Sequence, residues 1–152
     1  SRFDLNLNHP VKELIWVGKG AQPWGAADAN AGKLNKVDGT TIGNWKLVLN
    51  GHDRFTQQPT SYFTKTQVWQ HHTGCAGSVS DGGSIVLNSI AVYSFALKPE
   101  EHQPSGTCNF SRIDNAQLLS TTDCAAKGLY MYAINYNVLR IMSGMGGLAY
   151  SN

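Results

Sequence analysis

Apolar and polar residues alternate with a period of two along most of this chain, and a helical period surfaces once. Ser1 to Asn8 sets Phe3, Leu5 and Leu7 against Arg2, Asp4, Asn6 and Asn8, the pattern of an edge strand or connecting arm. His9-Pro10 interrupts it, and Val11 to Val17 predicts a compact strand with a buried end, Leu14-Ile15-Trp16-Val17. Trp45 to Asn50 alternates as a half-buried strand, and Asn50-Gly51 predicts a tight turn with His52 to Thr56 returning. Ser84 to Leu97 predicts a strand of 14 residues with apolar side chains on both alternating sets, so protein should cover both of its faces. Lys98 to Gly106, with two prolines and a glycine, reverses the chain before a second extended run from Thr107. Gly128 to Met142 predicts another long strand. Tyr130, Tyr132, Ile134, Tyr136 and Val138 share one face, and the other is broken by Asn135 and Asn137. A turn at Ser143 to Gly147 then leads to Leu148–Ser151, expected to close the sheet.

The helical period appears in Pro59 to Gly74. Pro59 stands at its start and Gly74 just past its end, so a helix is expected over about residues 60–73. Tyr62, Thr66 and Trp69 fall on one face of it, so Trp69, like Trp45, is expected to be buried. Gly18 to Gly43, rich in glycine and alanine, predicts a long surface loop with a short strand near Leu34 to Val37; Gly74–Gly83 and Ser120–Lys127 are further loops. These elements predict an all-β fold: an antiparallel jelly-roll sandwich of about eight strands with one short helix.

Composition sharpens this picture. A chain of 152 residues fits a single domain, residues 1–152. Charged residues make up 14%, against the usual ~25%. A surface with so few charges often means that much of it meets other protein, which is the expectation here. The net charge of +2, on scattered basic residues, argues against direct nucleic-acid binding. Three cysteines, Cys75, Cys108 and Cys124, exclude a fully paired disulfide framework and read as free thiols in a reducing compartment. No signal peptide is expected, and the sequence holds no apolar run of membrane length. The chain starts at Ser1 without Met, so a fragment of a longer protein is expected.

Candidate chemistry is sparse. His71-His72-Thr73-Gly74-Cys75 is the densest potential metal cluster, but adjacent helical imidazoles diverge, so helix-end histidines interacting with the helix dipole are expected instead. Glu100-Glu101-His102 lies in the Pro-bounded loop, where three consecutive side chains do not converge easily; a solvated or inter-subunit loop is expected. No His-x-His, nucleophile elbow or phosphate loop is assembled. Asn109-Phe110-Ser111 is a formal glycosylation sequon, expected to be unused. In His52-Asp53-Arg54, Asp53 and Arg54 are candidate ion-pair partners, within the domain or across a subunit contact. No catalytic residue, cofactor or metal site is predicted, and the chain is not expected to be an enzyme.

Several strings carry a family resemblance: YSFALKPEEHQPSGTCNFSRIDNAQL, YAINYNVLRIMSGMGGLAYSN, FDLNLNHPVKELIWV and LVLNGHDRF. They resemble the major capsid protein of nucleocytoplasmic large DNA viruses, the iridovirus and phycodnavirus group. The resemblance implies a protein of two tandem jelly rolls, of which this chain looks like the second, C-terminal one. It implies homotrimeric, pseudo-hexagonal capsomers tiling an icosahedral shell over an internal membrane that the protein does not enter. Neighbouring capsomers and minor capsid proteins would be its partners, and the virion, assembled in host cytoplasm, its location. Under this reading His52, Asp53, Arg54, Glu100, Glu101 and His102 are candidate subunit or capsomer contacts. The alternative is a lectin-like jelly-roll module stacking sugars on Trp24, Trp45 or Trp69.

Overall fold

A computed structural model describes residues 1–18, 34, 43–74, 90–121 and 129–151. Two antiparallel sheets face each other across an aromatic core. The first runs β1 (Arg2–Asp4), β8 (Ala116–Ser120), β3 (Asn44–Leu49), β4 (His52–Asp53), with β5 (Gln58–Pro59) also pairing with β3. Trp45 pairs with Gln58 and Ser120, and Leu49 with His52 and Ala116, so β4 and β5 share the edge of β3 opposite β8. The second sheet centres on β2 (Pro10–Gly18). Val17 pairs with Ile90 of β6 (Ile90–Ser94) and with Tyr130 of β9 (Leu129–Asn135). Val11 pairs with Cys108 of β7 (Cys108–Asn109) and with Asn135. Hence β6 and β7 follow one another along one edge of β2, and β9 lies along the other.

The expected sandwich with one short helix is what forms, although its strands are shorter and more numerous than anticipated. Asn50 and Gly51 both take positive φ, 50° and 81°, as a tight two-residue hairpin requires. The returning strand lasts only through Asp53. Of the long strand expected from Ser84, the described part is Ile90–Ser94; Phe95 to Leu97 bends away, and 84–89 lie outside the described residues. The Gly18–Gly43 loop, apart from Gly18, Leu34 and Gly43, also lies outside them, as do Cys75, Cys124, and most of the loops expected at 74–83 and 120–127.

Alternation decides which side chains enter the core. In β2, Val11, Leu14 and Trp16 point inward with Ala91 and Tyr93 of β6, while Leu129, Met131 and Ala133 of β9 pack against them. Aromatic rings form a continuous file through this core. It runs Phe3–Trp45 at 6.3 Å, Trp45–Trp16 at 5.8 Å, Trp16–Phe63 at 5.2 Å, Phe63–Phe55 at 5.5 Å and Phe55–Tyr93 at 4.8 Å. The file ties both sheets and the helix into one unit.

The helix begins with a π-helical turn, Tyr62–Thr66, and continues as α1 (Gln67–His71). It buries Phe63, Thr64 and Gln67. This corrects the expected face: Thr66 is exposed and Trp69 is 75% exposed rather than buried. The wide π turn rotates the later residues relative to a regular helix, so counting at 3.6 residues per turn selects the wrong side chains. Trp45 is buried as expected, and its indole N–H donates to Thr60 Oγ1 at 2.8 Å.

The C-terminal expectation also needs correction. The strand predicted to run from Gly128 to Met142 breaks after Asn135. Asn135 Nδ2 donates to Asn8 O at 3.1 Å, and Asn137 Nδ2 to Tyr150 O at 2.9 Å. These asparagines tie down the chain at the break rather than lining a strand face. β10 (Leu139–Met142) and β11 (Met145–Leu148) then form a separate hairpin, joined by Ser143 (φ 52°) and Gly144 (φ 77°). Leu148 therefore pairs with Leu139 instead of closing the main sheet.

Trp16 and Trp45 make distinct predictions for equilibrium denaturation. Trp16→Ala should lose about 3–5 kcal/mol by opening the centre of the aromatic file. Trp16→Phe should cost much less, because the buried Trp16 indole N–H has no partner to lose. Trp45→Phe should lose about 1 kcal/mol more than its change in volume explains, from the broken bond to Thr60.

Candidate assembly surface

β2 carries two charged residues, Lys12 and Glu13, inside its apolar run, and both are buried. The register against β9 shifts between Val11 and Glu13, which makes Lys12 the extra residue of a bulge. Its carbonyl accepts the Phe95 and Ala96 N–H groups. Its ammonium donates to the Pro99 and Glu101 carbonyls at 3.0 and 3.2 Å and lies 5.0 Å from the Tyr136 ring centroid. The bulge thus aims a buried cation at the backbone of the Pro-bounded loop.

Glu13 braces the same loop from a second direction. His72, just past α1, places Nε2 2.8 Å from Glu13 Oε2 and Nδ1 2.9 Å from Glu100 Oε1. With both carboxylates ionised, only the doubly protonated ring donates to both. Glu100 also accepts from the Thr73 hydroxyl at 2.7 Å and the Thr73 backbone N–H at 3.1 Å. The two Thr73 bonds, and after them His72, hold the Glu100 carboxyl below the usual carboxylate range. Gly106 closes the loop at φ 144°, where a Cβ would stand 2.7 Å from Phe95 O. No side chain larger than hydrogen fits there.

The structure therefore separates the candidates named from sequence. Glu100 is engaged by His72 and Thr73 within the domain, while Glu101 pairs with Lys98 at 3.3 Å and His102 is exposed. Asp53 of β4 pairs with Lys46 of β3 at 2.9 Å, not with Arg54, because Val48–Asp53 pairing puts Lys46, two residues from Val48, diagonally across on the same face. His52 and Arg54 are exposed beside it. His71 and His72 diverge as expected, His71 Nδ1 lying 3.1 Å from Leu97 O. Among the described residues no group of three metal-ligating side chains forms. Asn109 of the sequon accepts the Ser111 N–H and caps a 3-10 turn, Phe110–Arg112. Cys108 is a free thiol, its pKa raised by burial. Among the described residues no helix is long and apolar enough to cross a membrane.

The sequence reading missed the Lys12, Glu13 and His72 bracing. Its one available signal was two adjacent charges inside the Val11–Val17 run, which an apolar core strand does not tolerate without partners.

What these elements define is a braced antiparallel sandwich. The model of the large eukaryotic DNA virus major capsid protein matches residues 1–147, and the chain belongs to that family. It is 51% identical to the major capsid protein of Pyramimonas orientalis virus, over 100% of this chain and 39% of the relative. It is 38% identical to that of Paramecium bursaria Chlorella virus 1, over 97% of this chain and 42% of the relative. A quasi-atomic model of the PBCV-1 virus capsid superposes with a TM-score of 0.74 at 36% identity, covering 100% of this chain and 46% of that one. The chain thus spans less than half the length of each. The jelly-roll fold is confirmed by that match. The lectin-like alternative finds no support in these comparisons, whose relatives are capsid proteins; of its three tryptophans, Trp45 is sealed in the core, Trp69 is exposed and Trp24 lies outside the described residues.

His72→Ala should strip the buried Glu13 carboxylate of its partner and cost about 3 kcal/mol in a denaturant titration. Glu100→Gln, at an exposed position, should cost far less. Because the folded pKa of Glu100 is depressed, its contribution is complete above the unfolded value of ~4.3 and fades as pH falls through the lower folded one. Acid titration should show that loss in the native chain and not in Glu100→Gln.

Proposed function

We propose that this chain is a structural protein of an icosahedral virus shell. Residues 1–152 form one jelly roll, equivalent to the second, C-terminal roll of a double jelly-roll capsid protein. The observation that carries this reading is the family match over residues 1–147, with a capsid-protein fold along the whole chain. The protein acts by geometry. Its sandwich is a rigid block, and its surfaces and loops make the contacts. Three copies close a pseudo-hexagonal capsomer by a rotational, heterologous contact. Neighbouring capsomers and minor capsid proteins are the further partners. The chain works in the virion shell, assembled in host cytoplasm, over an internal membrane that it does not enter. It performs no catalysis and does not bind nucleic acid directly.

His52, Asp53, Arg54, Glu100, Glu101 and His102 form the polar part of this contact surface. Within it, Glu100 and Asp53 fix the shape of their loops through His72 and Lys46, and Arg54, Glu101 and His102 face outward.

Light scattering after size exclusion should give a native mass three times that of the chain, or a larger shell. Arg54→Glu combined with Glu101→Lys should weaken that assembly at low salt; assembly unchanged by the double reversal would remove these residues from the interface.

A further inference from the structure

Asn50-Gly51 is the one Asn-Gly pair in the sequence, and it carries a chemistry that the turn does not use. Glycine has no side chain to shield its own amide nitrogen, so in an unfolded chain that nitrogen reaches the side-chain carbon of a preceding asparagine with little hindrance. The reaction is spontaneous and consumes only water. Base removes the Gly51 amide proton, the nitrogen bonds to Asn50 Cγ, and the Cγ–Nδ2 bond breaks, with Nδ2 leaving as ammonia. Water then opens the cyclic imide at one carbonyl or the other, leaving aspartate or isoaspartate at position 50.

Asn50, Gly51 and His52 are all exposed, so solvent reaches the site. What stands in the way is conformation. Asn50 at φ 50° and Gly51 at φ 81° form the two-residue link between Leu49 and His52, which pair directly. In this left-handed backbone the Gly51 nitrogen is turned away from the Asn50 side chain, and closing the five-membered ring requires rotation out of the turn. The side chain is pinned as well. Asn50 Oδ1 accepts the Asp114 and Asn115 N–H groups at 3.0 and 3.1 Å, and the Asn50 N–H donates to Asn115 O at 2.7 Å. These bonds latch the hairpin tip to the segment that enters β8. The two donors on Oδ1 also polarise the amide carbonyl, as an oxyanion hole does, so the carbon is activated while its nucleophile is held off.

We propose that Asn50 is a latent deamidation site, kept unreacted by this latch and converted when the hairpin tip opens. The two products differ in consequence. Aspartate keeps its acceptor oxygens, so the bonds from 114 and 115 survive with a charge added. Isoaspartate routes the main chain through the side chain and adds a methylene to a two-residue turn. The Leu49–His52 and Val48–Asp53 pairs then lose register, and with them the Lys46–Asp53 ion pair. Conversion to isoaspartate therefore reshapes the His52–Arg54 surface.

The test incubates the folded chain, and the same chain unfolded in guanidinium chloride, at mildly alkaline pH. Peptide mapping by mass spectrometry follows conversion at Asn50 and resolves the aspartate and isoaspartate peptides. The folded chain should convert at least ~10-fold more slowly, the factor that two hydrogen bonds confer on the closed state. Asp114→Pro removes one of the two N–H donors, and Ile113 before it already has the extended φ of −111° and ψ of 113° that a following proline requires. This variant should convert several-fold faster than wild type while its circular dichroism stays unchanged. Hydrogen exchange makes the same test without a substitution, because the Asp114 and Asn115 amide protons are the ones the latch holds and should be protected in the folded chain. Equal conversion in the folded and unfolded chains overturns the proposal. So does a folded Asp114→Pro that converts at the wild-type rate, or free exchange of the Asp114 and Asn115 amides in a chain whose Asn50 stays unreacted, since either assigns the protection to the turn alone.

Discussion

Trp16 sits where every part of the sandwich meets. Its ring contacts Trp45 of the opposite sheet and Phe63 of the helical turn, and its strand is hydrogen-bonded on both edges. Fixing Trp16 fixes the register of β2, and that register sets everything else. One residue of slip would exchange Leu14 and Trp16 for Glu13 and Ile15 in the core. The bulge at Lys12 allows the strand to present a continuous apolar set inward while sending two charges toward the loop. The loop, the helix end and the sheet are then locked by the buried ammonium and the His72 imidazole between two carboxylates.

This arrangement accounts for the low charge of the chain. Several of its few charges are used internally. Lys12 holds loop carbonyls, Glu13 and Glu100 hold His72, and Asp53 holds Lys46. Ile90, Tyr132 and Ile134 on the outward face of β6 and β9, and the C-terminal hairpin apart from Arg140, are left apolar and exposed. For an isolated domain that distribution is a liability. For a block inside a shell it is an asset, because desolvation of apolar surface drives association and the braced loop keeps its shape while doing so.

Much of this was legible in the sequence, for local reasons. Alternation located β1, β2 and β3, and Asn50-Gly51 specified its turn because both residues must take positive φ. Trp45 was placed correctly because a half-buried strand has only two faces. What was not legible depended on contacts distant in sequence. The π turn shifted the helix face and exposed Trp69. The break at Asn135–Asn137 depends on Asn8 and Tyr150, which no local pattern reveals. Among the proposed contacts, Glu100 reads as a loop carboxylate until His72, 28 residues away, is brought against it. The both-sided apolar character of the strand from Ser84 was visible, but it suggested only that something covers it, not what.

The most direct test of this account is hydrogen exchange on the chain in its assembled and dilute states. Amides of Leu129–Asn135 and Leu139–Leu148 should become strongly protected on assembly, while Val11–Trp16, already sealed by the aromatic file, should exchange alike in both. Equal exchange of the hairpin and β9 in the two states would contradict the claim that the apolar surface of this sandwich is the surface that builds the shell.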